Sequence, residues 1–420
     1  MNLSSKKLFL LIFFFFFGSL YSLNSTEIKK DPIPLGTFND NGTLIFVSAD
    51  GRFKYWLDGR IQIDYGKIFD SKNKLPSGVK ARRVRFAIKS VLHKTWAGEL
   101  DLSITPTLEP DENNDIKVMD LWIAYNGLPN TTIKFGNQKP CFSIEELTTS
   151  RWIMFMERSL PNAFQLGRRV GVSVTTWQDF GIPWWLGAGF FGDEVARGAE
   201  DGEEESGLIV SRLCVLPLYH DNLILQVGGS CYKMEAEEGT MDTMRLKATE
   251  FHHQKHKLLD TDIILGVDHL IGSGIEGVVQ WNNFMLQGEY MSLNVFRKNS
   301  YKDAYFNGYY VQASYILTGE KHGYDRLQAE FTGVQPKDFD LGAWEVALRL
   351  SGINLTDEDA DIWGGAATYT TLGLNWHINT NIKAVINYLI TDHDKHANKR
   401  KTLQGNDDFS VLSMRLQYLF

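Results

Sequence analysis

The final strand of the chain narrows its fold more than any other feature. Read back from the end, Phe420, Tyr418, Leu416, Met414 and Leu412 fall on one face, and Gln417, Arg415 and Ser413 on the other. Side chains alternate across a strand, so one side of this segment is apolar and the other polar. In a soluble protein such an edge invites aggregation. In a closed transmembrane barrel the apolar face meets lipid, the polar face meets a wet lumen, and closure pairs the backbone. The pattern predicts an exported barrel.

The other end agrees. Lys6 and Lys7 precede an apolar run from Leu8 to Phe17, followed by Gly18, Ser19 and Ser22. A basic start, a short apolar centre and small residues describe a secretory signal peptide. The run is about half the roughly 20 residues a spanning helix needs. We therefore expect residues 1–22 to be a cleaved signal, 23–50 a leader and 51–420 the barrel. The 26 Phe, 16 Tyr and 11 Trp suit strands with a lipid-facing side. A formal charge of −8 means that any attraction for anions must be local. Cys141, Cys214 and Cys231 are too few for a disulfide framework, although Cys214 and Cys231 could sit opposite each other in one hairpin.

Between the ends, short alternating segments recur. Arg60, Gln62 and Asp64 oppose Ile61, Ile63 and Tyr65; Leu121, Ile123 and Tyr125 share a face, as do Leu372, Leu374, Trp376 and Ile378. Tight connections such as 93–94, 127–130, 179–182 and 379–380 contrast with long polar ones at 66–79, 106–115, 139–168, 193–206, 234–257, 318–341 and 394–406. Bacterial barrels show this contrast, with tight periplasmic turns and longer outer loops, and use even strand numbers. The expected fold is all-β: a 16-stranded antiparallel transmembrane β-barrel with long outer loops, one folded into the lumen. A large periplasmic sandwich or jelly roll is the soluble alternative, and it would not need Phe420 at the end of the last strand.

The densest charge lies at 81–89. Alternation sends Val84, Phe86 and Ile88 toward lipid, and Arg83, Arg85 and Lys89 toward the lumen. Arg83 and Arg85 are then about 6.6 Å apart along the wall. Arg82 breaks the phase, and a bulge or the strand end could turn it inward. Guanidinium forks match oxyanions and can replace part of a hydration shell at a constriction. The plainer reading is that inward charges keep the lumen wet. The aromatic residues at 152, 155 and 164 suggest that loop 139–168 packs on the inner wall, which brings Arg151 and Arg158 near Arg83 and Asp120.

These stretches carry a resemblance. Asp58 to Asp64, Arg82 to Phe86, Phe135 to Pro140, Ser143 to Glu146, Thr149 to Arg151, Met156 to Arg158, Gly308 to Glu320, Gly342 to Ser351 and Thr371 to Trp376 resemble the phosphate-selective porins O and P of Gram-negative outer membranes. The resemblance implies a 16-stranded barrel, a homotrimer, that passes phosphate or polyphosphate down its gradient through a constriction of arginines, a lysine, a serine and an aspartate. Carried over by motif, Arg82 and Arg83 match paired arginines and Asp120 the acidic residue. Ser150 and Arg151 match a serine–lysine pair, with arginine replacing lysine, and Arg158 matches the arginine closing the loop. One departure stands out: residues 193–205 are strongly acidic, where the best-known members carry further arginines toward the outer mouth.

The expected localisation is therefore the outer membrane of a Gram-negative bacterium, with lipid around the wall. The expected partners are phosphate or other small anions, and the barrel-assembly machinery through Phe420. Nothing implies a cofactor, a metal or nucleic acid. The His252, His253 and His256 tract lacks further ligands at metal spacing. His93, His269 and His377 are scattered, with no nucleophile elbow, so no enzyme is expected. The anion-binding candidates are Arg82, Arg83, Arg85, Asp120, Ser150, Arg151 and Arg158. The alternatives are a weakly selective diffusion channel and a surface antigen or adhesin on the same barrel.

Overall fold

The computed structural model describes residues 37–38, 43–104, 116–193, 207–235, 243–251, 257–298, 300–338, 340–398 and 404–420. The signal segment, most of the leader, the acidic run at 194–206 and the histidines at 252, 253 and 256 lie outside them. Sixteen long strands run in order: β1 Phe53–Phe69, β2 Gly78–Leu92, β3 Trp96–Ser103, β4 Lys117–Leu128, β5 Thr131–Gln138, β6 Arg169–Asp179, β7 Pro183–Phe191 and β8 Leu208–His220. Then come β9 Leu223–Glu235, β10 Val267–Trp281, β11 Phe284–Arg297, β12 Ala304–Ile316, β13 Ala343–Asp357, β14 Ile362–His377, β15 Ile382–His393 and β16 Ser410–Leu419. Each pairs antiparallel with the next, and β16 returns to β1, with Ser410 opposite Phe69 and Leu419 opposite Arg60. A short strand, Leu44–Val47, extends the sheet beside the start of β1.

Burial is inverted relative to a soluble protein, as the alternation requires. On β1, Ile63 is 47% exposed while Gln62 and Asp64 are buried; on β16, Leu416 is 55% exposed while Arg415 and Gln417 are buried. The expected lipid and lumen faces of both strands are the observed ones. At the seam the backbones of Gly59 and Phe420 exchange hydrogen bonds of 2.8 and 3.3 Å. A Cβ on residue 59 would stand 2.3 Å from the Phe420 ring, so any larger residue there must displace that ring.

Strand parity sets which end of the barrel each connection occupies. Turns 93–95, 129–130, 180–182, 221–222, 282–283 and 378–381 share one end. The connection 317–342, expected as 318–341 among the outer loops, emerges at this short-turn end as well. Its length and polarity suggested an outer loop, but β12 runs toward the short turns, and that decides the matter. It forms a hairpin of His322–Asp325 on Glu330–Val334. The hairpin turns back against inward-facing side chains: Trp185 Nε1 donates to Leu327 O (2.9 Å), Arg212 Nη2 to Ala329 O (3.0 Å) and Gln280 Nε2 to His322 O (3.0 Å).

From the opposite end comes segment 139–168, with a short helix α1 at Ile144–Leu147 and a 3-10 turn at Leu160–Phe164. Its Phe142, Leu160 and Phe164 join Leu246, Phe251 and Leu258 of the β9–β10 connection and Phe306 and Tyr369 of the wall in one apolar cluster. Cys214 and Cys231 do not face each other. Ser211 pairs with Cys231, Cys214 is buried on the opposite face, and all three cysteines are free thiols.

Candidate functional site

The polar faces of β1 to β5 and the underside of segment 139–168 enclose a cavity of about 800 Å³. Ten basic and five acidic side chains line it. Of the seven expected residues, Arg83, Arg85, Asp120, Ser150, Arg151 and Arg158 are on its wall and Arg82 is not.

Each residue is held differently. Gln62 pairs with Arg83 and Ile63 with Ala81, so Arg82 is the extra residue of a bulge. That bulge aims Arg82 at Glu157, with Nε and Nη2 donating at 2.7 and 3.0 Å. Arg83 donates to Gln62 (2.9 Å) and stands 3.4 Å from the same Glu157. Arg415 adds a third guanidinium there, at 2.9 Å. Glu157 thus gathers three arginines from β2 and β16.

Arg85 and Arg60 are held more loosely, each with a terminal nitrogen 3.7 Å from Asp101. Arg60 also donates to Ser150 Oγ at 3.1 Å. Arg168 pairs with Asp120 at 2.7 Å. The Nε–H groups of Arg60, Arg85 and Arg168 are buried and meet no acceptor among the described residues. Buried donors without acceptors are rare and point to a missing partner. Arg151 pairs with Asp58, which also takes Lys89 at 2.6 Å. Arg158 spends its donors on carbonyls, reaching Glu145 O and Thr148 O at 2.8 Å each. It also stands 3.3 Å from the Glu146 carboxylate, so it clamps α1 from the cavity wall.

The loop is moored to the far wall by its backbone. Lys383 Nζ donates to Ile153 O (3.2 Å), Asn375 Nδ2 to Met154 O (2.9 Å) and Arg349 Nη1 to Glu157 O (3.0 Å). Ser143 Oγ and the Glu145 amide both donate to Glu289. Two groups off the wall are displaced from their usual ranges. Burial pushes the Lys139 ammonium down to about 7 against the pull of Glu146. Burial likewise pushes the Glu330 carboxyl up to about 7, with Lys139 opposing it.

Sequence reasoning missed Arg60, Asp101, Arg168 and Glu157. Arg60 was legible as an inward residue of β1. Arg168 and Glu157 sit in an irregular segment where alternation gives no direction.

A closed 16-stranded barrel with a polar interior and an apolar exterior defines the class: an outer-membrane porin. Residues 56–420 match the family described as phosphate-selective porin O and P, and the chain belongs to that family. It is 27% identical to Porin O of Pseudomonas aeruginosa over 413 residues, 90% of this chain and 91% of that one. Among solved structures, the anion-selective porin from Comamonas acidovorans has a TM-score of 0.54 at 10% identity, covering 88% of this chain and 100% of that one. The trimer form of OmpT from Vibrio cholerae has the same score and identity, covering 88% and 99%. These two show the fold.

Proposed function

We propose that the chain is an anion-selective outer-membrane channel in which inorganic phosphate binds among Arg60, Arg85 and Arg168. One observation carries this reading: three buried guanidinium Nε–H groups without acceptors line a cavity where basic side chains outnumber acidic ones two to one. An oxyanion supplies the acceptors that a fork of this kind lacks. Asp101 and Asp120 orient the arginines and keep the hold weak enough for release. Ser150 and Arg151 form part of the same wall, whereas Arg82, Arg83 and Arg158 position the loop. By analogy with the trimeric OmpT, the working unit is a homotrimer.

The test is the reversal potential of the reconstituted protein in a planar bilayer under a KCl gradient, followed by phosphate titration. An anion-selective potential with saturable phosphate block, weakened in Arg85→Gln, supports the proposal; a cation-selective potential unmoved by phosphate overturns it. A weakly selective diffusion channel is the second reading. It is favoured by the carboxylates beside Arg60, Arg85, Arg151 and Arg168.

A further inference from the structure

The cavity is far larger than an inorganic oxyanion requires. About 800 Å³ corresponds to on the order of 25 waters at liquid density, and lies in the range of pockets that hold small organic molecules. Its lining is also graded along the barrel. On β4 the inward residues run from Asp120 through Trp122, Ala124 and Asn126 to Leu128, from the long-loop end toward the short turns. The cations Arg60, Arg85 and Arg168 gather around Asp101 and Asp120 near the top of this series.

The lower part mixes apolar side chains with Asn126, Asn130, Thr131 and Arg326. Trp122 and Leu128 come from the wall, Trp152 from the loop and Leu327 from the hairpin tip. Leu128 and Leu327 are 47% and 43% exposed and so accessible to a ligand in the cavity. The Lys134 ammonium stands 4.3 Å from the centroid of the Trp122 ring. One ammonium covers only one face of an indole, and the other face suits a flat partner.

We propose that this cavity binds organic anions carrying a planar unsaturated ring, such as aryl phosphates or aromatic carboxylates. The anionic group sits among Arg60, Arg85 and Arg168, and the ring lies against Trp122 and Leu327. The proposal rests on the anion-channel reading and narrows its substrate class. The hairpin adds to the apolar part of the subsite, because it brings Leu327 from the short-turn end, held by Trp185, into the cavity that Trp122 also lines.

The experiment compares half-blocking concentrations of phenyl phosphate, cyclohexyl phosphate and inorganic phosphate on the chloride conductance of the reconstituted full-length channel. Stacking on one indole predicts block by phenyl phosphate at about threefold to tenfold lower concentration than inorganic phosphate. Trp122→Ala brings that ratio toward one, and Trp122→Phe restores most of it, which a general loss of folding would not do. If inorganic phosphate blocks while phenyl phosphate has no advantage, the aromatic subsite is overturned and the anion channel stands. Equal block by cyclohexyl and phenyl phosphate also overturns it. If the channel is cation-selective and no phosphate blocks, the anion reading falls and takes this inference with it.

Discussion

The two halves of the barrel interior solve the same problem in opposite ways. Against β11 to β15, inserted segments fill the space: Phe142, Leu160, Phe251 and Tyr369 pack, and Arg349 is sealed with Glu250 and the Glu157 carbonyl, its guanidinium 4.5 Å from the Phe155 ring. Against β1 to β5 the same loop leaves a wet cavity with loosely held arginines. A buried charge stripped of partners is costly, so the filled half pairs its guanidinium groups with carboxylates and backbone carbonyls, although the Arg349 Nε–H still meets no acceptor among the described residues. The wet half instead sets three such donors, on Arg60, Arg85 and Arg168, around an open cavity, and that surplus is what a passing anion can use. One half is anchor and the other is path.

Glu157 joins the halves, so its removal has the largest expected effect. Glu157→Ala leaves Arg82, Arg83 and Arg415 without their common carboxylate. A destabilisation of about 3–5 kcal/mol is expected, read as a lower temperature for loss of the folded, heat-modifiable band on a gel. An unchanged transition would mean that the anchor lies elsewhere. Arg349→Met and Arg85→Gln then separate the two roles. The first lowers stability and leaves phosphate block nearly unchanged. The second leaves stability within about 0.5 kcal/mol and raises the half-blocking phosphate concentration roughly tenfold or more, the value of one charge-assisted hydrogen bond. The opposite assignment of effects would reverse the comparison.

How much of this was legible in the sequence follows from the same division. Wall strands obey period two, so Gln62, Asp64, Arg83, Arg85, Asp120 and Arg415 could be placed inward from the sequence, and barrel closure followed from the alternation of 412–420. Inserted segments obey no period. Phe142 and Leu160 show a need for burial but not against which wall, and the backbone carbonyls that Arg158 reaches from the cavity wall could not be read from its position in the sequence. The bulge at Arg82 was foreseeable as a broken phase, yet its partner Glu157 lies 75 residues away on the irregular loop. The connection 318–341 was misplaced because polarity and length were weighed before strand parity.

A pH change perturbs the wet half without mutation. Lys139 and Glu330 both titrate near pH 7, the first pushed down by burial and the second pushed up by it. On going from pH 8 to pH 6, Lys139 gains a proton and becomes cationic, and Glu330 gains one and becomes neutral. Both steps make the cavity more positive. The reversal potential should therefore move in the anion-selective direction on acidification. The shift should shrink in Lys139→Met and in Glu330→Gln, because each removes one of the two steps. A shift of the opposite sign would show that other carboxylates govern the path.

The smallest expected effect tests whether the two inserted segments touch as the structure has them. Trp152, next to Arg151, lies over Gly333 of the hairpin, where an added Cβ would stand 2.5 Å from the indole. Gly333→Ala must push the ring aside, at a cost of about 1–3 kcal/mol for overpacking. The ring and Arg151 share a backbone turn, so the displacement reaches the wall of the cavity while Glu157 and its arginines stay in place. The expectation is a modest loss of stability together with an altered phosphate block, smaller than that of Arg85→Gln. A stability loss with block unchanged would confine the contact to the anchor. A change in block would extend control of the path to a hairpin that emerges among the short turns.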